Sequence, residues 1–391
     1  MARNRVIYQS EAIFVSDNAA STTTALHEQL QRVQSANYSF SVNRQDINHF
    51  GQLSRVDSLI LDNPTVSFDI SYYLGAGFNE TALGFNVNRR AAADSSFASG
   101  HMQTSSGKNF YIITVGEGFD AKSAQETASD GVVGAGASVI ALGNAYLTDY
   151  TLDASVGSIP SATVSFECAN ITAGTGISGV ANGSVLSGIS LPSIKQEDGD
   201  ALGLTTTIPG ISESVDADEP TALRAGDVEV SFSSAAGDPN DGPMVFITGS
   251  TEGAGSNGAY VQSASLSVPL SRTPLEKLGS RFPFARTVDF PVNASLSLSA
   301  IVNEITSFDL QSLMTGENSA GFDITVKFKD NDAVSKFEYT LKGAQLDSES
   351  FGSSIGANKS VDLTFSAPIG AIDDTSKNIL ASGDYSTVPF A

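Results

Sequence analysis

The sequence predicts a mainly β fold, made of two tandem copies of one β-sandwich or half-barrel domain, each with about one short helix. Three observations predict it: apolar and polar residues alternate along several segments, the composition suits strands and tight turns, and one pattern of residues occurs twice. Charged residues are 16% of the chain, below the usual quarter. Ser, Thr, Gly and Ala take their place, which disfavours long helices rich in Leu, Glu, Lys and Gln.

Alternation marks the strands most clearly in three segments. Apolar residues occupy every second position of Val66–Tyr72, Leu266–Leu270 and Phe322–Phe328. A period of two places one set of side chains in a core and the other toward solvent. Phe110–Val115 is almost continuously apolar and is expected to form a strand buried on both faces. The helix candidates are few and short: Ala25–Val33, Ala121–Ser129 and, as the weakest, Asp332–Lys336.

The repeat is the most informative feature of the chain. Residues 33–51 align without a gap with residues 261–279, an offset of 228, and seven of the nineteen positions are identical. The ends of the two copies align at an offset of 199, where Val164-Ser165-Phe166 matches Leu363-Thr364-Phe365. The first copy therefore carries roughly thirty extra residues (228 − 199 = 29), which we place within about 80–140. Two collinear matches in the same order indicate a duplication.

The copies define the expected domains. The first spans 1–172 and the second 226–391, and between them residues 173–225 are rich in Gly and Ser and carry acidic clusters, which predicts a linker or an elaborated loop. The second copy is expected to open with strands at Asp227–Phe232 and Met244–Thr248, corresponding loosely to Arg5–Gln9 and Glu11–Val15.

Length and charge limit the function. A chain of 391 residues exceeds the usual size of a single core. The net charge of −22 argues against a DNA-gripping surface, which needs clustered Lys and Arg, although an acidic protein can let DNA pass without holding it. Cys168, the single cysteine, lies in a strand pattern and is expected to be a buried structural thiol. The N-terminus lacks a signal-peptide pattern, and no run has the length of a membrane span, so we expect synthesis in a cytoplasm.

Motifs for catalysis are weak. His27, His49 and His101 have no metal-ligand spacing. No histidine follows the GxSxG string at Gly352–Gly356, as a hydrolase triad requires. The GxGxxG strings at Gly174–Gly179 and Gly253–Gly258 are followed by no helical pattern. The acidic clusters lack EF-hand spacing and are interpreted as solvated turns. We expect no enzyme, metal or cofactor, and a carboxylate pair for glycoside hydrolysis stays open.

Two long loops are the candidate functional segments. Asn43–Asp57 and its equivalent Ser271–Thr287 separate convincing strands and are too long for ordinary hairpin turns. Both carry charges of both signs and aromatic residues, types that are common in protein interfaces. The candidate contact residues are Arg44, Asp46, His49, Phe50, Arg55, Arg272, Glu276, Lys277, Arg281, Phe282, Phe284 and Arg286.

A family resemblance rests on three segments: RVIYQSEAIFVS, then HEQLQRVQSANYSFSVNRQDINHFGQLSRVDSL, then PTVSFDISYYL. They resemble the tail tube proteins of long-tailed bacteriophages. In that family a small β-sandwich with one helix carries a long loop between two early strands, and the loop reaches the next ring of a stack. Six domains form a ring with a continuous inner β-barrel. Where the domain is duplicated, three subunits form a pseudo-sixfold ring.

The resemblance implies a virion structural protein of the phage tail, made and assembled in the host cytoplasm. Its implied partners are other copies of itself in trimeric, stacked rings and further tail proteins such as the tape measure, tail terminator and distal tail proteins. DNA would be only non-specific passing cargo, with no membrane partner. Three alternatives remain: another virion component such as a capsid decoration, neck or tail-completion protein; an acidic β-rich binding module or adhesin; or a carbohydrate-active enzyme.

Overall fold

A computed structural model gives the fold. It describes residues 11–17, 28–60, 65–91, 94–102, 107–114, 132–182, 185–187, 223, 228–234, 260–279, 283, 285–301, 321–330, 334–352 and 358–385. The described residues are mainly β, as the sequence predicts. Sixteen strands join one large, antiparallel-dominated sheet, and two short hairpins stand apart from it.

The first half of the chain contains eleven of the described strands. Its elements are β1 (Glu11–Asp17), β2 (Glu28–Gln29), β3 (Val33–Ser41), β4 (Arg44–Ile47), β5 (Asp57–Ile60), β6 (Thr65–Tyr73), α1 (Phe78–Leu83), β7 (Asn88–Arg89), a 3₁₀ turn (Ser99–His101), β8 (Lys108–Thr114), β9 (Val132–Ser155), β10 (Ser161–Asn182) and β11 (Val185–Ser187).

The second half repeats the main strands of the first. Its elements are β12 (Val228–Ser234), β13 (Tyr260–Pro269), β14 (Arg272–Leu275), β15 (Ala285–Val288), β16 (Val292–Ile301), β17 (Phe322–Lys329), β18 (Ser335–Gly352), β19 (Ser360–Ile369) and β20 (Ile379–Gly383).

The large sheet runs from one half into the other. Its strand order is β12-β17-β18-β19-β16-β13-β9-β10-β6-β3, with β1 and β8 attached beside β9. The alternating apolar residues of these strands are buried in a single core cluster that draws on both halves. Phe68, Phe166, Leu266, Leu296 and Phe365 belong to it, each from a different strand. The core face is therefore continuous across the boundary between the halves.

The pairing of β3 with β6 recurs in β13 with β16. Val33 lies opposite Tyr72 and Val261 opposite Ala300, so both partners are displaced by the same 228 residues (261 − 33 and 300 − 72). Each pair then skips one residue, Gln34 in β3 and Gln262 in β13. A bulge moves every later side chain by one position, so the shared bulge keeps both strands facing the core in the same way.

The β9–β10 hairpin recurs as β18–β19 at an offset of 199. Asp153 pairs with Ser161, and Gly352 pairs with Ser360. Both hairpins also contain a bulge at the same place, because the register skips Thr148 in β9 and Asp347 in β18. The insertion that separates the two offsets therefore lies between β6 and β9 in the first half.

The outer strands correspond as well, but differently from the sequence-based expectation. β1 pairs with β8, and β8 with β9; β12 pairs with β17, and β17 with β18. β1 (Glu11–Asp17) in the first half therefore has the same position in its ladder as β12 (Val228–Ser234) in the second half. We expected the segment opening at Asp227 to match Arg5–Gln9, and that correspondence is wrong. Arg5–Gln9 and Met244–Thr248 lie outside the described residues.

Two helix predictions are also wrong where the structure describes them. Residues 28–29 form β2 and Val33 begins β3, so the described part of the expected helix Ala25–Val33 is not helical. Ser335 and Lys336 begin β18, which excludes the helix expected at their position. The six-residue helix α1 instead lies inside the insertion region, and Ala121–Ser129 falls outside the described residues. Pairing with distant strands overrode weak local helix propensity.

The predicted boundary at residue 172 does not end a structural element. β10 continues to Asn182 and then pairs with β11, so the segment expected to be a linker begins as a strand. Residues 188–222 of that segment lie outside the described residues.

The insertion after β6 packs against the second half. β7 pairs in parallel with β20, and the Phe97 amide donates to the Ile379 carbonyl at 2.7 Å. Tyr150 of β9 and Tyr339 of β18 share a buried hydroxyl–hydroxyl hydrogen bond of 2.5 Å, with the Phe97 ring 5.4 Å from each ring. These contacts fix the two halves relative to each other.

Candidate assembly surfaces

One face of the large sheet is polar across eight adjacent strands, and we name it the polar wall. It is formed by the positions that point away from the core in β3, β6, β10, β9, β13, β16, β19 and β18. Strand alternation places it there, because the apolar core residues of these strands alternate mainly with Ser, Thr, Asn and Asp. Its members include Ser35, Asn37, Ser39, Ser41, Thr65, Ser67, Asp69, Ser71, Asp149, Thr151, Asp153, Ser155, Ser161, Thr163, Ser165, Glu167, Ser263, Ser265, Ser267, Ser295, Ser297, Ser299, Ser348, Ser350, Asp362, Thr364 and Ser366.

The charge of the polar wall has a single sign. Its carboxylates are Asp69, Asp149, Asp153, Glu167 and Asp362, and none of the wall positions named above carries Lys or Arg. Hydroxyls on neighbouring strands bond to each other, as Ser39 does to Ser67 at 2.7 Å, and Ser265 donates to Asp153 at 2.5 Å. The surface offers many weak polar groups and no cation at these positions that could hold a phosphate.

The junction between the halves is a strand pair. β13 of the second half lies antiparallel to β9 of the first, from Ser263 opposite Ser155 to Pro269 opposite Asp149. Backbone hydrogen bonds extend it at both ends: Val156 N donates to Gln262 O at 2.9 Å, and Leu270 N donates to Thr148 O at 2.8 Å. One edge of the second half is therefore satisfied by the first half.

The equivalent edge of the first half is open to solvent. β3 ends the strand order and pairs with β6 alone among the described strands. Tyr38 and Phe40 are 42% and 60% exposed, whereas their equivalents on β13, Leu266 and Val268, are 2% and 0% exposed. Full burial of an apolar side chain of this size stabilises a fold or an interface by about 1.5–3 kcal/mol relative to leaving it exposed. An exposed edge with large apolar residues is also a template for pairing with another chain.

A second open edge lies along the later part of β18. Along residues 345–352, β18 pairs with β19 on one side, and no strand of the described ranges pairs with it on the other. Within this stretch, residues 348–352 correspond, at the offset of 199, to residues 149–153 of β9, which pair with β13. Burial raises the pKa of the Glu349 carboxyl at this edge, and Phe351 beside it is half-exposed.

The two predicted loops form long β-hairpins. β4 pairs with β5, and β14 pairs with β15, at bounds that match at the offset of 228. Their turns share a glycine with positive φ, +89° at Gly51 and +88° at Gly279, a conformation that favours glycine. Phe50, Leu53 and Leu278 are fully exposed at these turns. Exposed apolar tips on paired, extended arms are suited to contact another molecule.

The base of the second hairpin is packed inside the chain. Arg286 is buried and its Nη1 lies 2.8 Å from Glu167 Oε1. Arg272 and Arg286 both lie over the Tyr146 ring, at 5.1 and 5.4 Å from its centroid, a cation–π geometry. Arg272 also donates to the His101 carbonyl. These contacts anchor the second hairpin on β9 and β10 of the first half.

The structure separates the predicted contact residues into groups. Arg44, Asp46, His49, Phe50 and Arg55 are all exposed on the first hairpin, and Arg55 pairs with Asp46 at 3.1 Å. Glu276 and Lys277 are exposed on the second hairpin, while Arg272 and Arg286 lie at its packed base. Arg281, Phe282 and Phe284 lie outside the described residues.

The residues that sequence reasoning missed are those of the strand edges. Tyr38, Phe40 and Ile60 are exposed apolar side chains next to the first hairpin. The available signal was their alignment with Leu266, Val268 and Val288, which share their apolar character. Sequence alone does not reveal that only one member of each pair is covered.

Other candidate groups are accounted for within the fold. Cys168 is buried, as predicted, and burial raises the pKa of its thiol to about 12. His101 is buried against the Phe85 ring, and His49 is exposed. In the part of the chain that the structure describes, no three His, Cys, Asp or Glu side chains are grouped for a metal ion, and no helix is long and apolar enough to span a membrane.

Comparisons with known proteins give a distant similarity to a solved structure. No protein-family model and no curated protein matches the chain. Among solved structures, it is similar to a chain of the anti-feeding prophage (AFP) baseplate, solved by cryo-EM and 6-fold symmetrised, with 16% sequence identity and a TM-score of 0.24. The similarity covers 30% of this chain and 76% of the other. A similarity with so low an identity and TM-score supports no conclusion about function.

Proposed function

We propose that this protein is a structural subunit of the tail tube of a long-tailed bacteriophage. Three copies form a pseudo-sixfold ring, rings stack into a tube, and DNA passes through the lumen during ejection. The observation that carries the proposal is the repetition of one strand register in two halves that already join edge to edge.

Repetition with a strand-paired junction favours a ring. The second half is placed on the first through β13 and β9, and the same relation applied again adds the next half. A repeated head-to-tail contact generates a closed ring when its rotation closes. Closure also removes the exposed sheet edges, which otherwise promote aggregation.

The polar wall suits the inner surface of such a ring. Its carboxylates repel phosphates, and its hydroxyls bind them weakly in competition with water. The attraction that holds DNA on proteins comes mainly from Lys and Arg, which the wall positions lack. DNA in contact with this surface would slide.

The hairpins suit contacts between stacked rings. The two hairpins extend from equivalent strands of their halves. A ring of three subunits would therefore present six hairpins. The exposed Phe50, Leu53 and Leu278 would become buried against the neighbouring ring.

Negative-stain electron microscopy of the purified, full-length protein tests the proposal. We expect stacked rings or tubes with six-fold averages and a central hole. Particles that stay monomeric over a wide range of protein concentration and salt, or assemblies without a hole, would contradict it. A capsid decoration, neck or tail-completion protein would give no tubes of variable length.

A further inference from the structure

We propose that β3 of one copy pairs antiparallel with residues 348–352 of β18 in a second copy, in the register of the β13–β9 junction. The inference rests on the proposed function for its ring of subunits, and it names the surfaces that join them. The partner is a second copy of this chain.

The register follows from the two offsets. β13 corresponds to β3 at 228, and β9 corresponds to β18 at 199. The junction pairs Ser265 with Asp153, Ser267 with Thr151 and Pro269 with Asp149. Moving each partner by its offset places Asn37 opposite Gly352, Ser39 opposite Ser350, and Ser41 opposite Ser348.

Exposure supports β3 as the surface that is covered. Tyr38 and Phe40 point to the core side of β3, where Leu266 and Val268 of β13 are buried by the first half. Val42 follows the strand as Leu270 follows β13, and it is more exposed than the fully buried Leu270. The first half thus presents an apolar edge whose equivalent in the second half is already covered.

The two edges are compatible on their polar side. Ser39 and Ser41 would face Ser350 and Ser348 across the new strand pair, so no like charges oppose each other there. The polar wall would then continue from one subunit into the next. Backbone N–H and C=O groups at both edges would gain ladder hydrogen bonds.

The other end of the sheet offers no comparable template. β12 also ends the strand order. Its equivalent in the first half, β1, pairs with β2 of the same half and with no strand of the second half among the described residues. The junction therefore assigns β3 and β18 as the joining edges.

Cysteine cross-linking tests the register. Residues directly opposite in antiparallel strands have Cα atoms about 4.5–5.5 Å apart, within disulfide range. We expect the Ser39→Cys/Ser350→Cys variant, assembled and mildly oxidised, to form covalent dimers and trimers that reductant reverses. Samples are blocked with N-ethylmaleimide and run on non-reducing gels.

The matched control shifts the register by one residue. In Ser39→Cys/Glu349→Cys the two thiols point to opposite faces of the sheet, and we expect much weaker cross-linking. The parent chain, in which Cys168 is buried, gives the background.

The outcomes separate the inference from the proposed function. Equal cross-linking of both variants overturns the register, and tubes without cross-links in the first variant overturn the edge pairing while the tube role stands. Cross-linked chains without rings or tubes support the pairing and contradict the tube role. A ladder that continues beyond the trimer supports the pairing and contradicts closure by three subunits.

Discussion

At the scale of single residues, the interior contains an ionisable side chain, His101, that the fold keeps uncharged. His101 lies buried in the insertion and contacts the Phe85 ring, with a centroid distance of 4.7 Å. Burial lowers the pKa of its imidazole well below the usual value, and the nearby positive charges of Lys108 and Arg272 lower it further. His101 therefore stays neutral in the fold.

The free energy of unfolding should consequently fall in mild acid. Below about pH 6.5 the unfolded chain binds a proton at this residue that the fold excludes, so stability present above that pH is lost as the pH decreases, by about 1.4 kcal/mol per pH unit until the folded pKa is reached. We expect His101→Gln to show a shallower loss between pH 6.5 and 5. Urea unfolding at a series of pH values measures the difference between the two proteins.

The same titration with His49→Gln provides the control, because His49 is exposed. That variant should follow the parent chain. A His101→Gln curve parallel to the parent curve would show that His101 is protonated equally in both states.

At the scale of elements, the two hairpins are equivalent in sequence and different in environment. Their strands and turn glycines match at an offset of 228, as the repeat predicts. The base of the second hairpin nevertheless packs on Tyr146 and Glu167 of the first half, whereas Arg44 on the first is exposed. One hairpin is anchored within the chain, and the other is exposed to solvent.

Charge reversal at the two equivalent arginines should therefore have different effects. Arg44→Glu changes an exposed position, so we expect the free energy of unfolding to stay within about 0.5 kcal/mol and tubes to become shorter or absent. Arg272→Glu removes a donor to the His101 carbonyl and a cation over Tyr146, and we expect a loss of about 2 kcal/mol or more. Thermal unfolding and electron microscopy measure both. Tubes of normal length from Arg44→Glu would exclude a role of this residue in stacking.

At the scale of the whole molecule, the strand order makes one wall from both halves. The wall is polar and acidic because the same alternation of Ser, Thr and Asp recurs in eight neighbouring strands. Ser165 and Thr364 occupy equivalent wall positions, each next to the bulge of its hairpin. A pseudo-sixfold ring of three subunits would place six such positions at the same level along the tube axis.

Lysines at positions 165 and 364 should make the tube retain DNA. We expect assembled Ser165→Lys/Thr364→Lys tubes to hold fluorescent single-stranded DNA with a steep dependence on salt, because each cation that contacts a phosphate releases counterions. Ala371→Lys/Thr375→Lys adds the same charge at exposed positions after the end of β19, outside the wall positions named above, and is the matched control. Equal retention by the two variants would place the wall outside the DNA path.

The sequence by itself determined the features that local patterns encode. Alternation located the main strands, and the collinear matches located the repeated segments and the two equivalent loops, because strand periodicity and repeated patterns are local features of the sequence. That each loop is a β-hairpin with a glycine at its turn came from the structure. The sequence also identified Cys168 as a buried thiol. The helix predictions were wrong wherever the structure describes them in full or in part, since weak helical propensity yields to long-range pairing.

Only the tertiary structure decided which strand meets which. It joined β13 to β9 and left β3 at the end of the sheet, buried Arg286 and half-buried Arg272 while exposing Arg44, and packed the insertion across both halves. The two halves share their strand pattern, and that local pattern does not determine which edge is covered. The difference arises because a strand edge is satisfied by residues far away along the chain. Among the described strands, the chain supplies that partner for β13 of the second half and none for the equivalent edge of β3.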